Sequence, residues 1–375
     1  MRLLICAGGT GGGVYPALAV LKALQDKVQL DALWIGGEGG IEVDLLSRED
    51  IPFTAIPAAG LHGVGLRSFP GNLWRIFKGF LSARRIIRDF HPQVIFSTGG
   101  YLVVPVVAAS RLNLMQKRDP KVAVYVPDIE PGLALRFAAR FSDQVFLTVR
   151  DSMDYFDEQL NLLVTGYPTR LSMVEVVRED DLDLFGLLSD IPTVLVFGGS
   201  KGARSINRAI TACLHELLQD TQIIHITGQL DWPDIKGISK KLPPELRSRY
   251  HAYQYLHNEM GAALSAADLV VSRAGASILG EFPLYGLPAI LVPYPHAWRY
   301  QEVNANYLET RGAALVLQDY DLEVHLLSTI RKLIHDHEMR NEMSQAMSSL
   351  ATPQAAESIA NALLGLVPVS NPGRM

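Results

Sequence analysis

The sequence predicts an α/β protein of two Rossmann-like, doubly wound parallel-sheet domains facing a cleft. Three observations predict it. Short apolar runs alternate with longer amphipathic stretches, the spacing of strands joined by helical crossovers. That alternation restarts near the middle of the chain. Glycine-rich turns at 8–13, 98–101 and 198–202 each follow an apolar run and open a helix-like stretch. A chain of 375 residues, 48% hydrophobic and 19% charged, is long and apolar enough for two cores, which argues against disorder.

In the first half, strands are expected at 3–7, 32–35, 53–56, 94–97, 123–126 and 144–147, with helices at 16–27 and 72–90 between them. Residues 93–110 carry no charge, yet Gly99, Gly100 and Pro105 interrupt them, so they read as strand, glycine turn and helix start rather than a membrane span. Turn formers at Thr165-Gly166-Tyr167-Pro168-Thr169-Arg170 and a charged patch at 178–183 place the domain boundary just after Arg170. The second half repeats the pattern, with strands expected at 193–197, 223–227, 252–255, 269–272 and 289–292. The expected division is therefore 1–170, 171–345 and a terminal segment, 346–375, whose helix packs back on the first domain before a flexible tail.

A net charge of -5 argues against whole-surface nucleic-acid binding, and no nucleic-acid partner is expected. Cys6 and Cys213 both lie inside apolar patterns, which suits a reducing compartment and excludes a cysteine-based zinc site. Because a strand is expected from Leu3 onward, no cleavable leader is expected and the protein reads as cytosolic. A strand that runs through bare glycines into a helix offers N–H groups and a positive dipole end, the chemistry that holds anions and sugar hydroxyls.

Taken in order, the blocks along the chain resemble the MurG family, glycosyltransferases that move N-acetylglucosamine from its UDP carrier onto undecaprenyl-pyrophosphoryl-N-acetylmuramyl peptide. The resemblance covers nearly the whole chain. It rests on Gly8-Gly9-Thr10-Gly11-Gly12 with Pro16-Ala17-Leu18-Ala19, on Thr98-Gly99-Gly100-Tyr101, on the run from Thr165 to Arg170, and on Gly198-Gly199-Ser200-Lys201-Gly202-Ala203-Arg204 with Asn207. Ser272-Arg273-Ala274-Gly275-Ala276 with Glu281, then Gly286-Leu287-Pro288, His296, Arg299, Gln301 and Asn304, complete it. The family's fold, named GT-B, is the two-domain arrangement expected above.

The 198–202 turn precedes a helix containing Ile206 and Ile210, so its amides and the Ser200 hydroxyl suit a diphosphate, although a plain tight turn would need some of the same glycines. The resemblance implies Arg170 as a cationic partner of the donor; a boundary arginine is otherwise a solvated charge. It also implies a donor site along Ala276, Ser277, Ile278, Leu279, Gly280 and Glu281, with Glu281 on the ribose, Leu256 offering its backbone to uracil and Gln301 reaching the sugar. Most lone helix glutamates face water, and Leu256 as a side chain reads as core. On the other side, Thr10, Gly11 and Gly12 would meet the reacting centre, and Gly9, Gly13, Tyr15, Thr98, Gly99, Gly100 and Tyr101 would join them around the acceptor pyrophosphate.

Two departures from the family pattern bear on catalysis. Gly13 stands where the family has a histidine, a natural general base. Tyr125-Val126-Pro127-Asp128 stands where the family has His-Glu-Gln-Asn, so Asp128 falls at the Asn position as a sugar ligand or base. Glu130 and His296 are the other titratable candidates, and each of these carboxylates could equally be a loop charge.

Residues 66–90 interleave Phe69, Trp74, Phe77, Phe80 and Leu81 with Arg67, Arg75, Lys78, Arg84, Arg85 and Arg88. That suits an anionic membrane surface, though an amphipathic helix packed on its own domain gives much the same string. The expected protein is an inverting glycosyltransferase peripheral to the cytoplasmic face of the cell membrane, taking a UDP-sugar donor and a lipid-linked acceptor. No cofactor or metal is expected, since no Asp-x-Asp cluster stands where it would hold a nucleotide-bound cation. Two alternatives stay open: transfer to another lipid such as diacylglycerol, and a catalytically degenerate UDP-sugar binder.

Overall fold

The structure is a computed structural model that describes every residue except 9, 10, 39–41, 43–45, 48, 50, 60–68, 113–119, 171, 172, 174–177, 200, 201, 296–298 and 368–375. The chain divides into two units, residues 1–169 with 354–375, and residues 170–353.

The first unit is built on seven strands: β1 (Arg2–Cys6), β2 (Asp31–Gly37), β3 (Phe53–Ile56), β4 (Val94–Ser97), β5 (Lys121–Val126), β6 (Gln144–Leu147) and β7 (Leu162–Val164). All pair in parallel, in the order β3-β2-β1-β4-β5-β6-β7, with Leu3 opposite Ala32 on one side and Val94 on the other. The central strands are buried on both faces, which is why they read as unbroken apolar runs rather than alternating ones. The crossovers include α1 (Gly11–Gln25), α2 (Phe69–Phe90), α3 (Val103–Arg111) and α4 (Leu133–Ala139), and α3 packs against both α2 and α4. Gly79 lets α2 approach the Pro57 carbonyl, where any Cβ would overlap it. The segment from 93 to 110 folds as β4, a glycine turn and the start of α3.

The second unit repeats the plan with β8 (Thr193–Phe197), β9 (Gln222–Ile226), β10 (Tyr250–Tyr253), β11 (Leu269–Ser272), β12 (Ala289–Leu291) and β13 (Ala314–Val316), all parallel, in the order β10-β9-β8-β11-β12-β13. Its helices include α5 (Arg178–Phe185), α6 (Arg204–Ala212), α7 (Leu214–Asp220), α8 (Met260–Ala266), α9 (Ile278–Tyr285), α10 (Tyr300–Glu309), α11 (Leu322–His335) and α12 (His337–Ser348). Ile206 and Ile210 of α6, Leu217 of α7 and Ile330 of α11 share one core with Val194, Val196, Leu269 and Val271 of the sheet. The last helix, α13 (Ala355–Leu366), packs on α1 and so belongs to the first unit.

Among the elements that differ from the sequence expectation, three have a clear physical reason. β10 runs from 250 to 253 instead of 252 to 255, because buried Tyr250 is anchored by His225 (2.9 Å); a two-residue slip keeps each side chain on its face. β13, three residues long, is too short to show a period. α1 begins at Gly11, five residues before the apolar pattern starts, since the first turn of a helix uses none of its own N–H groups and tolerates glycine there.

In both sheets the strand order reverses once, between β1 and β4 and between β8 and β11. Open parallel sheets bind ligands beyond the carboxyl ends of their strands at such reversals. The glycine turns follow β1, β4 and β8, and the serine-arginine-glycine turn follows β11.

Candidate functional site

In the first unit the turn after β1 is pinned by side chains from four segments. Buried Trp34 donates its indole N–H to the Ala7 carbonyl (2.8 Å), Ser97 Oγ donates to Cys6 O (2.9 Å), Thr98 Oγ1 donates to Gly13 O (2.6 Å), and the Tyr167 hydroxyl reaches Gly12 O (3.4 Å). Glu42, fully buried, accepts the Gly37 N–H (2.7 Å), and its side chain covers Gly8 and Gly36 so closely that a Cβ on either would overlap it. Gly99 and Gly100 have φ of 105° and 78°, a region glycine enters without strain, and Gly100 lies against the Gly8 carbonyl. Gly8, Gly11–Gly13 and the 98–100 turn are thus brought together, and Tyr101 beside them is 56% exposed. Gly13 differs from its neighbours: a Cβ there would meet Thr98 Oγ1 at an ordinary 3.5 Å, so the helix start has room for a side chain.

Tyr125 is fully buried, bonds the Thr148 hydroxyl (2.6 Å) and packs edge-on against Tyr167. Burial pushes its phenol well above the usual range, with the nearby Asp128 adding to the effect, so Tyr125 is a core residue with a hydroxyl that keeps its proton. Asp128 is half-buried. Glu130 is buried and ion-paired with Arg136 of α4 (3.2 Å), whose Nε also donates to Pro131 O (3.1 Å). The pair closes the loop between β5 and α4.

In the second unit the turn after β8 is as constrained as the first. Gly199 and Gly202 have φ of 88° and 82°, Gly202 N donates to Gly199 O (2.9 Å), and a Cβ on Gly202 would overlap the Thr227 carbonyl. That carbonyl is itself held: Asn207 Nδ2 donates to Thr227 O (2.9 Å) and to Asp231 Oδ2 (2.8 Å). With both amide hydrogens used, Asn207 Oδ1 accepts from His225 Nε2 (3.0 Å), and His225 Nδ1 then accepts from the Tyr250 hydroxyl (2.9 Å). Burial pushes His225 down to about 4, so the imidazole is neutral in this network. Arg273, at the end of β11, donates to the Val292 and Pro293 carbonyls (3.1 and 3.2 Å) and to Ser205 Oγ (2.8 Å) and pairs with Asp319. It ties the ends of β11 and β12 to the start of α6.

Helix α9 is apolar on most of its surface, with Ile278, Leu279, Gly280, Phe282 and Pro283 buried. Ser277, its N-cap, Glu281 and Tyr285 are spaced by four and form one polar stripe. The Ser277 hydroxyl bonds the Glu281 carboxyl, and Arg170 lies near enough to act on its charge. Removal from water outweighs both and pushes Glu281 up to about 7, although part of the residue remains accessible. Gly275 and Gly199 have open space where a Cβ would stand. Ala276 and Leu256 are both 8% exposed. Gln301, in the first turn of α10, accepts the Tyr294 N–H (2.9 Å). The expected site residues Gly9, Thr10, Ser200 and His296 lie outside the described residues.

The first unit exposes large apolar side chains on two helices, α2, over the stretch singled out in the sequence, and α4, which was not. Leu73, Trp74, Phe77 and Leu81 of α2 are 47–56% exposed, while Ala83 and Ile87 on its other face are fully buried. Leu133, Phe137 and Phe141, on and just after α4, are exposed too, with Phe137 and Phe141 in ring contact at 5.0 Å. The signal was present as Arg136-Phe137 followed four residues later by Arg140-Phe141, on a helix too short to show a period. Among the described residues no helix is long and apolar enough to cross a membrane.

Comparison with known proteins gives this arrangement a family. The glycosyltransferase family 28 N-terminal domain matches residues 3–147 and the family 28 C-terminal domain matches residues 193–359. A UDP-N-acetylglucosamine–N-acetylmuramyl-(pentapeptide) pyrophosphoryl-undecaprenol N-acetylglucosamine transferase of Roseiflexus sp. is 38% identical, over 98% of this chain and 95% of that one. The transferase of the same name from Desulforamulus reducens is 36% identical over 98% and 99%. The crystal structure of Acinetobacter baumannii MurG superposes with a TM-score of 0.75 at 25% identity, covering 97% of this chain and 99% of that one. Two parallel sheets with single reversals, glycine turns at those reversals and near-full-length identity to these enzymes together make the chain a member of the MurG family of glycosyltransferases.

Proposed function

We infer that the protein transfers N-acetylglucosamine from UDP-N-acetylglucosamine to undecaprenyl-pyrophosphoryl-N-acetylmuramyl pentapeptide, the reaction its relatives are named for. The observation that carries the reading to this chain's own residues is the closeness of Arg170 to the Ser277–Glu281 stripe on the helix that follows β11. A guanidinium suits the diphosphate and a carboxylate suits the ribose hydroxyls.

The donor belongs to the second unit. Arg170, with the amides of the 198–202 turn and the start of α6, neutralises the charge that builds on departing UDP. Ala276 to Gly280 line the nucleotide, Leu256 meets the base through its backbone, and Gln301, with Ser200 and His296, reaches the sugar and phosphates. The acceptor belongs to the first unit, where Gly9 to Gly13, Tyr15 and the 98–101 turn take its pyrophosphate through backbone N–H groups. The acceptor hydroxyl attacks the anomeric carbon as the bond to UDP breaks, which inverts that carbon. Asp128 takes the hydroxyl proton, in place of the imidazole that relatives carry at Gly13. Glu130 is weaker in this role because Arg136 already holds its carboxylate.

Exposed Leu73, Trp74, Phe77 and Leu81 with Arg75, Lys78, Arg85 and Arg88 support peripheral contact with an anionic lipid surface at the cytoplasmic face, where the acceptor's prenyl chain resides. A helix that only packed on its own sheet would not leave four large apolar side chains half in water.

The test is mass-spectrometric detection of product after incubation with UDP-N-acetylglucosamine and the lipid-linked monosaccharide peptide, with diacylglycerol as the competing acceptor. Turnover on the first alone is expected. Turnover on diacylglycerol alone, or UDP binding with transfer to neither, overturns the assignment.

A further inference from the structure

We infer that Tyr285 is a positioning residue of the donor site: its hydroxyl, donating to the Met173 carbonyl, ties Arg170, to which Met173 is hydrogen-bonded, to the helix that carries Glu281. The inference rests on the donor reading of Arg170 and Glu281 given above. Met173 is 2% exposed, and its N–H donates to Arg170 O (3.0 Å), so the two residues are held to one another. Tyr285 donates to Met173 O from α9, one helical turn beyond Glu281. A buried carbonyl without its donor is costly, so loss of the hydroxyl frees Met173, and Arg170 with it, to shift. Burial, with Glu281 and Asp181 close by, pushes the Tyr285 phenol up and keeps it a donor. Asp181 is 8% exposed and its Oδ2 has no hydrogen-bond partner, so a second negative charge at this spot would be badly placed. Tyr285 touches no expected ligand group; it acts through where Arg170 stands relative to Glu281.

The experiment is a double-mutant cycle read by calorimetric titration of the full chain with UDP. Tyr285→Phe keeps the ring and removes the hydrogen bond; it is expected to weaken UDP binding about three- to tenfold, the size of one lost hydrogen bond to a buried acceptor. In an Arg170→Ala background the same change is expected to cost less than about twofold, because the group it positions is gone. kcat at saturating donor falls along with UDP affinity, because the displaced guanidinium no longer meets the charge on departing UDP, and both losses shrink together in the Arg170→Ala background, a coupling that general destabilisation does not produce. Equal losses in both backgrounds, or unchanged affinity in Tyr285→Phe, overturn the inference. If the wild-type chain fails to bind UDP, the donor reading falls first; if Arg170→Ala weakens UDP and Tyr285→Phe does not, only the positioning role falls. Should Tyr285→Phe not fold, Tyr285→His, which retains a ring N–H donor on a shorter arm, is run in the same cycle and is expected to lose less than Tyr285→Ala; equal loss in those two variants overturns the inference.

Discussion

The two units share one sheet plan, seven strands in the first and six in the second, with the same single reversal, yet they furnish it differently. At the β8/β11 reversal charged and polar side chains gather: Glu281 with Ser277 and Arg170, and Arg273 with Ser205 and Asp319. At the β1/β4 reversal the chain leaves mostly backbone, with Gly11–Gly13 meeting Thr98 and with Tyr167 and Trp34 used to pin carbonyls. On the function proposed above, the second unit takes the small charged donor through fixed side chains and the first takes the larger acceptor through amides, with Asp128, in the loop after β5, as the proposed base. The difference also locates the apolar surface: α2 and α4 of the first unit expose large hydrophobic side chains together with arginines.

Substitutions in each unit test this contrast. The largest effect is expected from Asp128→Ala, which should lower kcat about 10²–10⁴-fold while leaving UDP affinity in place. Full turnover would remove Asp128 as the base and leave the first unit a pure binding surface. Next, Glu281→Gln should weaken UDP by about ten- to a hundredfold, the value of hydrogen bonds to a charged acceptor.

Glu281 also predicts a pH dependence. Its carboxyl is raised from 4.5 to about 7, so the unliganded fold holds the proton more tightly than the unfolded chain does. Stability should therefore fall as pH rises from about 4.5 to about 7, while UDP binding strengthens over the upper part of that window as the carboxylate forms. Both trends should flatten in Glu281→Gln, measured by thermal melts and titration; a wild-type profile that is flat from pH 6 to 8 would place the carboxylate elsewhere. Third, Trp74→Glu with Phe77→Glu should reduce sedimentation with anionic vesicles about tenfold or more, from lost apolar burial and added repulsion. Unchanged sedimentation would return α2 to a purely internal role.

The smallest effects compare two glycines. Gly202→Ala should cost about 1–3 kcal/mol, since φ is positive and a Cβ would meet the Thr227 carbonyl. Gly13→Ala should gain up to about 1 kcal/mol, because that helical position has room and glycine is the poorer helix former. Chemical denaturation reads both. Gly13→His is the sharper companion: if the missing imidazole limits the first unit, kcat should rise.

Most of the scaffold was legible in the sequence because parallel strands buried on both faces read as short apolar runs, and because each glycine turn sits where the chain leaves a strand. The helix carrying Glu281 could be placed from Gly275 and the strand behind it. What the sequence hid are contacts made at long range. Nothing near Trp34 or Tyr167 announces that they hold carbonyls of the first glycine turn, and Asn207 gives no local sign that it braces the second through Thr227. Nor does anything local mark Glu42, whose side chain lies over Gly8 and Gly36. β13 and the exposed aromatic pair on α4 were missed because three- and seven-residue elements hold less than two turns of any period.

The return of α13 to pack on α1 has a consequence for biogenesis. A ribosome finishes the whole of the second unit before it delivers residues 354–366, so the domain that starts the chain is the last to be completed. Until that helix emerges, the face of α1 that α13 covers lies open, and premature termination just after Pro353 would damage the amino-terminal half while sparing the half nearest the break.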